Sequence, residues 1–195
     1  PGETPNTNRS LRLGLHTAHR DALLYSASEI EAWPRNHIGS HPYVEKLGIE
    51  PLAGDVDVDA ILAFVTDVRF RRRRFAGLLL DQGFVAGSGN YLRSEILFEA
   101  GIAPSLRPCD LSAAQTERLA MAISTMFRRA YDQRGVTTPP DFVRQQRVLG
   151  ARRRAYRHLV FARDGKPCRV CGTAIERHEA AGRRIYVCAT CQPLP

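Results

Sequence analysis

Alternating apolar and polar positions mark the first regular structure of the chain. Leu11, Leu13 and Leu15 alternate with polar or small residues, which is the period of a half-buried β-strand. A polar turn over 17–21 and a second short apolar run over 22–26 complete a predicted β-hairpin. Because a lone two-stranded hairpin is marginal in water, we expect this one to belong to a larger sheet.

Two further segments have the apolar period of amphipathic helices. Asp57 is predicted to cap the first of these helices, which carries apolar residues over 61–65. Ser112 and Gln115 have the spacing of a capping box for a longer helix. Its predicted buried stripe consists of Leu119, Ile123, Met126, Phe127 and Ala130.

A helix–turn–helix pattern lies between these two segments. Residues 75–82 predict a short apolar helix, and residues 83–89 predict a turn. A second helix is predicted over 90–100, with Asn90 as its N-cap and Gly101 at its end.

The remaining segments indicate how the chain is divided. Residues 27–55 are rich in loop-forming residues, and residues 132–157 are polar, arginine-rich and predicted to form an exposed connection. We therefore predict an α+β chain of three parts, namely a hairpin with a linker over 1–54, a mainly helical domain over 55–157 and a small unit over 158–195.

Composition excludes several classes of protein. The chain has 195 residues, of which 44% are apolar and 25% charged, as expected for a globular protein. No stretch approaches 18 consecutive apolar residues, so a membrane span is not expected. The polar start of the chain has no apolar signal-peptide core.

The positive charge is unevenly distributed. The net charge is +8, yet residues 1–66 hold 5 basic and 9 acidic side chains, whereas residues 67–195 hold 23 basic and 11 acidic ones. Such basic density favours a polyanionic partner, with nucleic acid as the first candidate. The alternative is a solvated, arginine-rich surface.

Four of the five cysteines have the spacing of a metal site. Cys168 and Cys171 form one Cys-x-x-Cys pair, and Cys188 and Cys191 form a second after sixteen intervening residues. This spacing is typical of a four-thiolate zinc ribbon, in which no coordination position stays open, so we predict one structural zinc ion. Two disulfides or a catalytic redox pair are the alternatives. Cys109 is left over and is predicted to be a buried or semi-exposed thiol.

The turn before the second helix is a candidate anion site. Gly87 and Gly89 flank Ser88, and the helix then begins at Asn90. Tight turn geometry and capping would account for these residues, but a glycine-flanked helix N-terminus also binds phosphate. Five arginines over 69–74, Arg74 among them, favour nucleic acid as the ligand.

Three stretches resemble one known family. Residues 75–98 resemble the helix–two-turns–helix motif of the formamidopyrimidine-DNA glycosylase/endonuclease VIII family, and residues 182–192 are similar to its zinc-finger signature. Residues 23–31, followed by 40–42, resemble its bacterial endonuclease VIII (Nei) branch in particular.

The resemblance implies a base-excision-repair DNA glycosylase/AP lyase that acts on damaged double-stranded DNA. Enzymes of this family flip out an oxidised base, here expected to be a pyrimidine, cut its glycosidic bond and cleave the strand by β,δ-elimination through a Schiff base. Asn90 matches the family's phosphate-binding asparagine, Arg183 matches its zinc-finger arginine, and the four paired cysteines match its zinc ligands. A monomer in the bacterial cytoplasm, associated with the nucleoid when bound to DNA, is expected.

The start of the chain departs from the family pattern. The family's catalytic proline and glutamate open an N-terminal β-sandwich domain, whereas here Pro1 is followed by Gly2 and only then by Glu3. We therefore expect Pro1 to be coincidental, the hairpin to be a remnant of the sandwich, and the chain to bind DNA without cutting it. The alternatives are a non-catalytic zinc-containing DNA-binding module and a zinc-ribbon protein–protein adaptor.

Overall fold

The structure is a computed structural model that describes residues 6–194. The chain forms two compact units, one up to Glu45 and the other from Lys46 onward. The expectation for Pro1 lies outside the described residues, and the predicted division at 54/55 and 157/158 stays a prediction.

The first unit contains the predicted hairpin. Strands β1 (Leu11–His16) and β2 (Asp21–Tyr25) pair antiparallel, with Leu13 opposite Leu24. The β1 leucines are exposed, Leu15 by 60%, because within residues 6–194 this sheet has two strands only. The predicted half-buried face is therefore open in the described chain. A 3₁₀ turn (Arg35–Ser40) and the short helix α1 (Pro42–Glu45) follow.

The core of the second unit is built on three helices. Helix α2 (Val58–Val65) begins where Asp57 accepts a hydrogen bond of 2.8 Å from the Ala60 N–H, as predicted. Helix α5 (Ala113–Asp132) begins at the predicted capping box, and all five residues of its predicted stripe are buried. Helix α4 (Asn90–Ala100) packs against α5.

Helix α3 (Phe75–Leu78) is shorter than predicted. Asp81 accepts a hydrogen bond of 2.8 Å from the Gly83 N–H. The Gln82 side chain accepts one of 2.8 Å from the Gly87 N–H and donates one of 2.9 Å to the Ser88 carbonyl. Because these side chains bind the backbone of the turn, the chain leaves the helix before residue 82.

Helix α4 has the predicted bounds but not the predicted cap. It ends at Gly101, which has a left-handed φ of 67°. Its N-cap is Gly89, with no side-chain cap, and Asn90 is the first helical residue. The prediction of Asn90 as N-cap is therefore wrong, because its side chain is bound elsewhere, as described below.

The segment predicted as an exposed connection is partly helical and partly buried. It contains helices α6 (Pro140–Val148) and α7 (Arg153–Tyr156), joined by a small core of Val136, Val143 and Tyr156. Thr137 and Thr138 are fully buried.

Strands β3 (Glu176–Ala180) and β4 (Arg183–Val187) form a second antiparallel hairpin between the two cysteine pairs. No helix within the described residues has the length and apolar character needed to cross a bilayer.

Candidate metal centre and nucleic-acid interface

The four paired cysteines converge on one point. Their Sγ atoms all lie within 4.8 Å of one another, with 3.9 Å between Cys168 and Cys191 and 3.4 Å between Cys171 and Cys188. Zn–S bonds of about 2.3 Å in a tetrahedron place sulfur atoms about 3.8 Å apart. The cysteines are free thiols rather than disulfides. One structural zinc ion therefore fits this centre, and four thiolates leave it no open position.

Local backbone geometry and hydrogen bonds prepare the centre for metal. Gly172, directly after the first cysteine pair, has a φ of 80°, a left-handed conformation that favours glycine. Hydrogen bonds from Thr173 lower the pKa of Cys171 to about 6, which favours its thiolate, whereas burial raises the pKa of Cys188 and of Cys191. Cys109 stands apart from the centre and is exposed, so the prediction of a buried or semi-exposed thiol is wrong.

Gln192 connects the metal centre to the helical core. Its side chain is buried, accepts a hydrogen bond of 3.1 Å from the Cys188 N–H and donates one of 2.9 Å to the Ile102 carbonyl. The second cysteine pair is thereby fixed to the loop after α4. The sequence analysis gave this residue no role.

Arg93 is the junction between α4 and the zinc-finger hairpin. Its side chain is fully buried and donates to backbone carbonyls on both sides, to Ala76 at 2.6 Å and to Ala180 at 3.0 Å. It also donates to the carbonyls of Arg183 at 3.3 Å and Arg184 at 3.0 Å. None of the ion pairs among residues 6–194 includes Arg93. Burial, and then the charge of Arg183, lower its pKa to about 10, so it stays charged at neutral pH.

Asn90 is held by the same junction. Its Oδ1 accepts a hydrogen bond of 2.8 Å from Arg93, and its Nδ2 donates one of 3.0 Å to the Arg184 carbonyl. The structure thus brings two predicted site residues, Asn90 and Arg183, to adjoining positions although they are far apart in sequence. The Arg183 side chain is exposed.

The N-terminus of α4 is open beside this junction. Within the described chain, the backbone N–H groups of residues 89–92 have no protein acceptor. Gly87 has a φ of 81°, whereas Gly89 is extended and a Cβ there would meet no atom within 4 Å. Free N–H groups at the positive end of a helix are suited to bind an anion.

Arginines of the 69–74 cluster differ in their partners. Arg69 pairs with Asp67, and Arg73 pairs with Asp81, each at 2.7 Å. Arg74 is exposed, and no acidic partner for it occurs in the part of the chain that the structure describes. Its charge is therefore available to a ligand.

Glu95 holds the segment that leads into the zinc finger. Its fully buried carboxylate accepts hydrogen bonds from the Thr137 hydroxyl at 2.5 Å and from the backbone N–H groups of Leu159, Val160 and Phe161 at 2.7–2.9 Å. Burial raises its pKa, and these hydrogen bonds oppose that rise. The signal in the sequence was the polar run over 93–95 inside an otherwise apolar helix, which the sequence analysis did not use.

Two family models match this part of the chain. Residues 47–140 match the formamidopyrimidine-DNA glycosylase H2TH domain, and residues 165–194 match the zinc finger found in FPG and IleRS.

Curated relatives match nearly the whole chain. Endonuclease 8 of Escherichia coli (strain K12 / DH10B) and that of Shigella sonnei (strain Ss046) are each 41% identical over 191 residues, which is 98% of this chain and 69% of the relative.

Solved structures have the same fold. The MutM (Fpg) protein of Thermus thermophilus aligns with a TM-score of 0.65 at 25% identity, covering 96% of this chain and 73% of that one. Lactococcus lactis Fpg, in its complex with DNA that contains an abasic site, aligns with a TM-score of 0.64 at 21% identity. That alignment covers 89% of this chain and 58% of the L. lactis protein.

Proposed function

Because the chain belongs to the formamidopyrimidine-DNA glycosylase/endonuclease VIII family, we propose that it grips damaged duplex DNA for base-excision repair of oxidised bases, with oxidised pyrimidines as the preferred class. The full reaction is removal of the base and strand cleavage by β,δ-elimination at the abasic site. We further propose a monomer that acts on the chromosome in the bacterial cytoplasm.

The observation that carries this proposal is the junction of α4 with the zinc-finger hairpin. Hydrogen bonds of the buried Arg93 side chain connect Asn90, at the open N-terminus of α4, to the backbone carbonyl of Arg183, whose side chain is exposed. The N–H groups at the α4 terminus can donate hydrogen bonds to one phosphate, while Arg183 binds a second phosphate close by. Two such contacts to the DNA backbone would hold the strand while its base is flipped out.

Substitution of Arg183 tests this grip. We expect Arg183→Ala to weaken binding to a duplex with an abasic-site analogue by about 1–3 kcal/mol, because a charge-assisted phosphate contact is lost. Binding is measured by fluorescence anisotropy. Arg118→Ala removes another exposed arginine, from α5, and serves as the matched control. Equal affinities of the two variants would refute the role of Arg183.

Chemistry by this chain is a separate question. We assign no catalytic residue among residues 6–194, and the alternative function is a non-catalytic zinc-containing DNA-binding module. Incubation with an abasic-site duplex and sodium borohydride distinguishes the two, because borohydride traps the Schiff base of a lyase. A covalent adduct would show that an amine of this chain, at Pro1 or a lysine, performs lyase chemistry. A non-covalent complex without an adduct would identify a DNA-binding module.

A further inference from the structure

A second concentration of positive charge lies outside both matched domains. Residues 141–157, here called the α6–α7 segment, hold six arginines and a single acidic residue, Asp141, for a net charge of +5 out of +8 for the chain. The H2TH match ends at residue 140, and the zinc-finger match begins at residue 165. The junction around Arg93 makes no use of this segment.

The α6–α7 segment is anchored rather than loose. Val143 and Tyr156 are buried together with Val136 in a small core of their own. The Arg169 guanidinium, from the first cysteine turn, lies 4.7 Å from the centre of the Phe142 ring. Such a cation–π contact fixes the segment against the zinc finger.

A tight turn holds the tip of the segment. Gly150 has a φ of 68°, its N–H donates to the Arg147 carbonyl at 3.0 Å, and the Ala151 N–H donates to the Gln146 carbonyl at 2.9 Å. These two bonds form a Schellman motif, which gives the end of α6 one defined geometry. Val148 and Leu149 are nevertheless 87% and 75% exposed. Two apolar side chains are thus presented to solvent by a rigid turn.

Arginines flank this apolar tip in the sequence, and the side chains of three of them have no partner among the described residues. The side chains of Arg147, Arg152 and Arg154 are exposed and make no hydrogen bond or ion pair with any described residue. Arg144 by contrast pairs with Asp141, and Arg153 donates to the Arg134 carbonyl. The last-turn position of Arg147 suits the negative end of α6, but consecutive arginines over 152–154 repel one another. A polyanion would relieve that repulsion.

We propose that the α6–α7 segment is a second contact surface for duplex DNA. Arg147, Arg152 and Arg154 bind backbone phosphates, and the tip of Val148 and Leu149 rests in the groove between them. Exposed arginines attract the phosphates of a duplex, and exposed apolar wedges beside basic residues are a device of groove-binding proteins. The inference rests on the proposed function in one respect only, namely that the partner is DNA.

The test is the salt dependence of DNA affinity. The triple variant R147S/R152S/R154S removes the uncommitted charges, and R12S/R118S/R128S removes three exposed arginines elsewhere as a matched control. Each lost phosphate contact lowers the slope of log K against log salt by about 0.9, so we expect the first variant to lose roughly 2–3 from its slope. Affinity should fall on the order of tenfold at about 100 mM salt, equally for intact and abasic-site duplexes, because backbone contacts carry no lesion information.

The outcomes separate this inference from the proposed function. Wild-type protein that binds neither duplex would refute the DNA partner itself. Wild-type binding that Arg183→Ala weakens, with an unchanged slope in R147S/R152S/R154S, would overturn the second surface alone. An equal loss of slope in the control variant would also overturn it, because the charge effect would then be diffuse.

The apolar tip has its own readout. V148S/L149S should lower affinity by roughly threefold to tenfold while leaving the salt slope unchanged, because the tip buries apolar area and carries no charge. Unaltered affinity of this variant would overturn the seating of the tip in a groove.

Discussion

At the scale of the residue, the Arg93 side chain joins three separate segments of the chain through its hydrogen bonds. Four backbone carbonyls and the Asn90 side chain accept its hydrogen bonds in a fully buried position. Arg93→Met fills a similar volume but leaves these acceptors unpaired, and we expect the free energy of unfolding to fall by about 3 kcal/mol or more. Urea unfolding measures this loss. Arg128→Met, at an exposed position on α5, should change it by less than about 0.5 kcal/mol.

His158 should make stability depend on pH. Its ring is buried beside Tyr91 and Phe161, and burial, followed by the charges of Arg157 and Arg153, lowers its pKa to about 3. His158 Nδ1 lies 3.2 Å from the Thr137 hydroxyl oxygen, which in turn lies 2.5 Å from the buried carboxyl group of Glu95.

A histidine whose folded pKa lies below its unfolded value contributes its full stability above about pH 6.5 and loses it as the pH falls towards 3. Between pH 7 and 4 we expect wild-type protein to lose about 3 kcal/mol more of its unfolding free energy than His158→Gln, in which this residue does not titrate. Urea titrations at each pH supply the comparison. Parallel pH profiles for the two proteins would contradict a neutral, buried His158.

At the scale of the element, the two glycines of the turn before α4 should behave differently. Gly87→Ala forces a side chain into a left-handed backbone and should cost about 1–2 kcal/mol of stability, although its Cβ would meet Phe127 only at an ordinary 3.5 Å. Gly89 is extended and an added Cβ would be unobstructed, so Gly89→Ala should cost less stability than Gly87→Ala, through the loss of a glycine N-cap alone. The added Cβ would lie at the open α4 N-terminus, where we propose that a phosphate binds, so DNA affinity should fall. Thermal unfolding and anisotropy together distinguish the two effects, and full DNA affinity in Gly89→Ala would argue against a phosphate at this terminus.

Features set by a recognised local residue spacing could be predicted from the sequence, and features set by other contacts could not. The caps at Asp57 and Ser112 were correct because each interaction spans three residues. The predicted end of α3 was wrong because the Asp81 and Gln82 side chains accept hydrogen bonds from the backbone of the turn that follows the helix.

The same distinction holds at the candidate site. The cysteine centre could be predicted because the spacing of its four cysteines defines it. The roles of Arg93 and Glu95 could not, since their partners lie up to 91 and 66 positions away. In a sequence this rich in arginine, the residue pattern does not distinguish a buried arginine from an exposed one.

At the scale of the whole molecule, metal and DNA affinity should be linked. The hairpin that carries Arg183 lies between the cysteine pairs, and a ribbon of this size folds only with its metal. Removing zinc with a chelator under reducing conditions should lower DNA affinity at least tenfold while most of the helical circular dichroism remains. Zinc, but not magnesium, should restore binding. Undiminished affinity of the chelated protein would show that the hairpin does not contribute to the grip.

The long span between Asn90 and its partner Arg184 has a consequence for how the protein is made. The two residues are separated by 94 positions. At a synthesis rate of about 5–20 residues per second, helix α4 leaves the ribosome some 5–20 seconds before the strand that completes its surroundings. Throughout that interval Arg93 has no hairpin carbonyls to bind, and Asn90 has no fixed orientation. The proposed phosphate contacts at Asn90 and Arg183 can therefore form only after the hairpin has been synthesised and has bound its metal.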